Sequence, residues 1–92
     1  MPYFVVTYTY SPDTETRNAV RPAHREWLAA QDSLLLSGPT DADGAFLVFE
    51  GADAAAVEEL LDADPFATDG RVIAGRSVVG WTPVLGRLTS AL

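Results

Sequence analysis

The chain has no cysteine and no lysine, one histidine and one methionine in 92 residues. The missing cysteine excludes disulfides, thiolate metal sites and thiol catalysis. A single histidine leaves little from which to build a structural zinc site. No apolar run approaches the ~18 residues that a membrane-spanning helix needs. The first residues, Met1-Pro2-Tyr3, lead into a strand-like stretch without the basic segment of an export signal, so the expected location is the cytoplasm. All six basic residues are arginines, against 13 acids, for a net charge of −7. Such a balance repels phosphate backbones and anionic lipid, and argues against nucleic-acid and membrane partners.

What is present is a core. Hydrophobic residues make up 48% of the chain, above the range of disordered sequences. At this length one domain over residues 1–92 is expected, and a monomer of that size is only marginally stable without added support. With disulfides and metal unavailable, oligomerisation is the support that remains.

Tyr3 to Tyr10 are all aromatic, β-branched or threonine, which predicts a strand. Ser11-Pro12 predicts a helix start, with serine as cap and proline in the first turn, and the helix is expected to reach about Gln31. Pro22 predicts a kink within it, or a short turn followed by a cleaner helix. A short strand at Ser33–Ser37 precedes a turn-rich loop over residues 38–44, and a third strand follows at Ala45–Glu50. Asp53 caps a second helix with Val57, Leu60 and Leu61 at helical spacing, and Asp64-Pro65 stops it. Residues 65–70 read as a loop or a further short turn, and a fourth strand is centred on Ser77–Trp81. The resulting β-α-β-β-α-β order is the ferredoxin-like α+β arrangement: a four-stranded antiparallel sheet with two helices on one face.

In the first strand Phe4, Val6, Tyr8 and Tyr10 alternate with Tyr3 and Val5. In the third, Phe46 and Val48 alternate with Ala45, Leu47 and Phe49. Both sheet faces are therefore apolar, yet two helices cover only one. A homodimer through the open face would remove the exposed patch.

His24 is the leading candidate for chemistry. It shares a helical stripe with Val20, Trp27 and Leu28, and Arg17 and Arg21 border that stripe. It reads either as a packed histidine bonded to a backbone carbonyl or as a general acid or base. Arg17, Arg21 and Arg25 lie within nine residues, a concentration suited to an anion such as a carboxylate. Arg25 is expected to pair with surface acids instead, while Arg21 stands between the two roles. Asp64 is either a plain helix exit or, since the helices pack side by side, a carboxylate for the imidazole. Ser37 and the Gly38 amide end a strand where a ligand could meet them, although no nucleophile elbow surrounds Ser37. Asp41-Ala42-Asp43-Gly44 fails as a calcium loop, because Ala45 and Ala52 fall where oxygen ligands are required. Trp27 and Trp81 read as apolar anchors in the core or at a dimer interface.

Taken in order, Arg21-Pro22-Ala23-His24-Arg25-Glu26-Trp27-Leu28, Ser37-Gly38-Pro39, the Gly44–Glu50 strand, Asp64-Pro65-Phe66 and Trp81 resemble the YciI-like (YCII-related) family of dimeric α+β barrel proteins. The resemblance implies a ferredoxin-like homodimer with a pocket near the interface. It also implies a site centred on a histidine and an aspartate, which fall here on His24 and Asp64. The family is similar in fold to muconolactone isomerase and includes a dehydrochlorinase of chlorinated hydroxyhydroquinone. That implies lyase- or isomerase-like proton transfer or elimination on a small aromatic, lactone or carboxylate metabolite. His24 and Asp64 would be catalytic, Arg21, Ser37 and Gly38 would bind substrate, and no metal or organic cofactor would be needed. The alternative is a non-catalytic small-molecule-binding or dimerisation module.

Overall fold

The computed structural model describes all 92 residues. Its elements run β1 (Tyr3–Tyr10), α1 (Thr14–Ala29), β2 (Leu34–Thr40), β3 (Gly44–Glu50), α2 (Ala54–Leu61), α3 (Pro65–Asp69) and β4 (Ile73–Trp81), with a closing 3₁₀ turn at Thr89–Ala91. The strands form one antiparallel sheet in the order β2-β3-β1-β4, the ferredoxin-like topology. No helix is long and apolar enough to cross a membrane.

Alternation along the two central strands decides which side chains enter the core. Phe4, Val6 and Tyr8 of β1 and Ala45, Leu47 and Phe49 of β3 meet Leu28 of α1 and Val57 and Leu61 of α2. Gly44 lets the start of β3 press against β1, since a Cβ there would lie 2.2 Å from the Tyr8 carbonyl oxygen. Arg76 of β4 reaches Glu58 of α2 at 3.1 Å and Asp62, the residue that ends it, at 2.9 Å, tying that helix to the edge strand.

The opposite sheet face carries Leu36, Phe46, Val79 and Trp81, all exposed. Their register partners show that they share one side: Phe46 faces Thr7, and Val79 and Trp81 face Val5 and Tyr3. The expected second apolar face is present and uncovered within the chain.

Several local boundaries differ from the sequence expectations. Asp13, not Ser11, caps α1: its carboxylate accepts from the Thr16 N–H at 3.0 Å, while the Ser11 hydroxyl donates to the Arg71 carbonyl. A carboxylate can accept from the N–H and from the Thr16 hydroxyl together, which suits the cap position. The helix ends at Ala29 and runs through Pro22 without interruption. Pro22 and Asn18, one turn earlier, both lie on the exposed side, where water can satisfy the carbonyl that proline leaves unpaired. Gly38 and Pro39 belong to β2 rather than to a loop. Because β2 is an edge strand, its proline removes no donor that a neighbour on the outer side would need. The loop shrinks to Asp41–Asp43, with Asp43 in the left-handed region at φ 52°. The further short turn at residues 65–70 is realised as α3, and β4 begins earlier, at Ile73.

Candidate active site

Asp64 is where the chain leaves α2 and starts α3, and its environment follows from that position. Pro65 occupies the first helical turn, and the Asp64 carboxylate caps the new helix by accepting from the Phe66 N–H at 3.0 Å. Gly70, at φ 81°, closes the short helix in the left-handed conformation that glycine adopts without strain. Because α3 packs beside α1, the same carboxylate lies against His24. Oδ1 is 2.7 Å from His24 Nδ1. Oδ2 accepts from the Tyr8 hydroxyl at 2.9 Å. Asp64 is fully buried, so these bonds take the place of water.

The proton positions follow from what each group can donate. Burial pushes the Tyr8 phenol far above its ordinary range, and the adjacent Asp64 charge and hydrogen bond push it the same way. It therefore keeps its proton and donates. The Phe66 amide also only donates. An ionised Asp64 is an acceptor throughout, so His24 presents Nδ1–H to it. In the neutral imidazole that leaves Nε2 with its lone pair free. Nε2 has no hydrogen-bond partner in the chain and is not a buried unpaired atom, so it opens outward. Phe66 stacks flat on the imidazole, with ring centroids 3.8 Å apart and planes inclined by 6°. The ring is thus held by one edge and one face.

His24 forms part of the wall of a cleft of about 440 Å³ between α1, the start of α3 and the β2 edge of the sheet. Arg21 and Arg25 flank it on α1, Ser37 and Gly38 stand opposite on β2, and Leu28 and Leu47 supply apolar lining. Arg21 reaches Asn18 Oδ1 at 2.5 Å. Arg17, Arg21 and Arg25 form no ion pair with any Asp or Glu, whereas Arg71 and Arg76 do. The expectation that Arg25 serves as a surface partner for nearby acids is therefore corrected: one residue beyond His24 on the helix, it lines the cleft. On a chain with 13 acids, three unpaired arginines in nine residues leave a local excess of positive charge.

The structure brings His24 and Asp64 into direct contact and places Arg21, Ser37 and Gly38 around the same cleft. Sequence reasoning gave no site role to Tyr8, Tyr10 or Phe66, and assigned Arg25 to surface acids. For Tyr8 a signal was available, since a phenol on the core side of a central strand needs a buried acceptor. A second hollow, of about 480 Å³, lies between the chain ends and β4. It is lined by no charged side chain, whereas Arg21, His24 and Arg25 line the cleft on α1. No three His, Asp or Glu side chains converge to hold a metal ion.

A ferredoxin-like α+β protein with a buried histidine–aspartate pair at the wall of a cationic cleft is the class that fold and site define. The chain belongs to the YCII-related domain family, whose profile matches residues 1–82. Among solved structures it is similar to the 5-chloro-2-hydroxyhydroquinone dehydrochlorinase of Burkholderia phenoliruptrix, solved in complex with 2,5-dihydroxybenzoquinone. That similarity has 24% identity and a TM-score of 0.77, over 87% of this chain and 93% of that one. An antibiotic biosynthesis monooxygenase is similar at 18% identity and a TM-score of 0.56, over 92% and 100% of the two chains. A dabb family protein with a ferredoxin-like fold from Mesorhizobium loti follows at 15% and 0.52, over 91% and 99%. No curated protein sequence matches. At these identities the likeness is one of fold, and different chemistries share it, so function has to be argued from the site.

Proposed function

We propose that the protein is a small lyase- or isomerase-like enzyme that moves a proton on an anionic or carbonyl-bearing ring compound, with His24 as the general base. The observation that carries this reading is an imidazole whose Nδ1 is held at 2.7 Å by a buried carboxylate while Nε2 stays unpaired at a cleft wall. Asp64 keeps the tautomer in which Nε2 accepts, and it stabilises the imidazolium formed when the proton arrives. Tyr8 and the Phe66 amide orient Asp64 in turn.

Substrate enters a cleft whose unpaired arginines attract an oxyanion or carboxylate, with Arg21 and Arg25 beside the base. Ser37 and the Gly38 backbone line the far side. His24 Nε2 takes a proton from carbon or oxygen, and the released electron pair moves into the conjugated system. Where a leaving group such as halide is attached, it departs with its electron pair and the reaction is an elimination. Where none is present, return of the proton to another position completes an isomerisation. A second copy of the chain would cover the open sheet face through Leu36, Phe46, Val79 and Trp81 in a two-fold dimer.

The dehydrochlorinase of similar fold suggests the first substrate to try. Chloride release from 5-chloro-2-hydroxyhydroquinone should exceed the buffer rate and fall about 10²–10⁴-fold in His24→Ala. Equal release by the two proteins would remove His24 from the reaction. Binding without release would instead favour a cleft that holds a metabolite without converting it.

A further inference from the structure

The two tyrosines at the end of β1, on the same side of the sheet, are engaged differently. Tyr8 is buried and bonded to Asp64. Tyr10 is half-buried, lines the same cleft as His24, and its hydroxyl has neither a partner in the chain nor a place among the buried unpaired atoms. It is a free O–H donor at the cleft wall.

Two contacts hold it there, next to an irregularity in the β1–β4 ladder, where Thr9 pairs with Gly75 and Tyr10 with Ile73 so that Ala74 of β4 is the extra residue. The Tyr10 ring packs edge-on against Phe66, at 5.6 Å and 85°. Phe66 stacks on His24, so a single aromatic ring sets the positions of both. Finally, the Arg17 guanidinium lies 4.7 Å from the centre of the Tyr10 ring. A cation on that face draws electron density from the phenol and strengthens its O–H as a donor. Arg17 has no carboxylate partner, and its Nε is buried without any. Packing alone gives no reason to choose a charged side chain for that position.

Resting on the proton-transfer reading above, we propose that Tyr10 is a second catalytic residue, whose hydroxyl donates a hydrogen bond to the substrate oxygen that gains negative charge when His24 takes the proton. The step balances without a further reactant. The C–H bond beside a carbonyl breaks, the proton goes to Nε2, and its electron pair moves through the adjacent carbon to the carbonyl oxygen, making an enolate. That oxygen accepts the Tyr10 O–H, while Arg17 and Arg21 supply positive charge behind it. Tyr10 keeps its proton throughout. Burial raises the phenol against the opposing pull of Arg17 and Arg21, and Asp64 is the acid that adds to the rise. The ligand class is therefore a cyclic ketone, enol or phenol whose oxygen is carried as an oxyanion in the cleft.

Phenolate binding tests this without a known substrate. At a pH where nitrophenol is ionised, the native protein should bind 4-nitrophenolate at least about tenfold more tightly than 4-nitroanisole, its uncharged methyl ether. Tyr10→Phe, which deletes only the hydroxyl, should lose most of that preference. Arg17→Met should weaken it about two- to fivefold. Arg87→Gln, outside the cleft, should leave it within about twofold. Equal binding of the two probes by native protein, an undiminished preference in Tyr10→Phe, or an equal loss in Arg87→Gln would each overturn the proposal. The two readings fail separately. Chloride release that needs His24 but is indifferent to Tyr10→Phe would overturn the Tyr10 role alone. A phenolate preference that needs Tyr10, without turnover dependent on His24, would support Tyr10 as the oxyanion donor and remove the base.

Discussion

The two faces of the sheet are built on opposite plans. The helix-covered face buries polar groups among its apolar ones: Tyr8, Asp64 and His24 lie in or beside the core, bonded to one another. The open face is apolar and exposed, with Leu36, Phe46, Val79 and Trp81 in water. A core of this size has little need of a carboxylate for stability, because burying a charge costs more than it returns unless every oxygen is matched. Asp64 is matched three times, by His24, Tyr8 and the Phe66 amide, so its burial is compensated. The open face lacks any such specification. It is a surface whose free energy falls on contact with another apolar surface.

Removing Asp64 should give the largest effect. Asp64→Ala strands the Tyr8 hydroxyl, the Phe66 amide and His24 Nδ1 together, and should cost about 3–5 kcal/mol of unfolding free energy. Denaturant unfolding measures it. A loss below about 1 kcal/mol would mean that the covered face does not depend on its polar centre.

Tyr8→Phe cuts a single bond to Asp64 and should cost about 1–3 kcal/mol. Its pH dependence has a defined sign. The folded phenol is raised above the ordinary value of 10.0, so the folded state holds the proton that the unfolded state releases. Stability from this group is therefore complete below about pH 10 and declines as the pH rises further. Unfolding midpoints taken up the alkaline range should fall for native protein and fall less steeply for Tyr8→Phe. Parallel curves would show that Tyr8 ionises as freely folded as unfolded.

Phe46→Asp acts on the other face and should be nearly silent in monomer stability, within about 0.5 kcal/mol, as for exposed substitutions generally. Its effect should appear in sedimentation instead, native protein running as a dimer and the variant as a monomer. If both run alike, the open face is not where copies meet.

Sheet topology was legible because it follows from the β-α-β-β-α-β order, and the β-branched and aromatic runs at Tyr3–Tyr10 and Ala45–Glu50 mark the two central strands. Local boundaries were less legible where two residues compete for one role. Ser11-Pro12 has the pattern of a helix start, yet Asp13 offers the better acceptor and takes the cap. Gly38-Pro39 reads as a turn in isolation, and only its place at the edge of the sheet makes it strand. In the site, helical spacing put His24 on the inward stripe and family resemblance joined it to Asp64. Neither periodicity nor resemblance pointed to Tyr8, which contacts a residue 56 positions away. Arg25 was misjudged because acids close in sequence were assumed to be partners in space, and α1 directs that side of the helix to the cleft.

Asp64 also ties the order of a backbone segment to the state of the imidazole. The carboxylate oxygen that meets His24 is the one that starts α3, so the five-residue helix and the orientation of the imidazole rest on a single atom. A helix that short has no independent persistence. When its first turn opens, the imidazole loses its anchor and Phe66 leaves its face in the same event. The exchange of the Phe66 amide hydrogen with solvent is then a clock for the site: it ticks each time the imidazole comes loose, and a ligand resting against His24 should slow it.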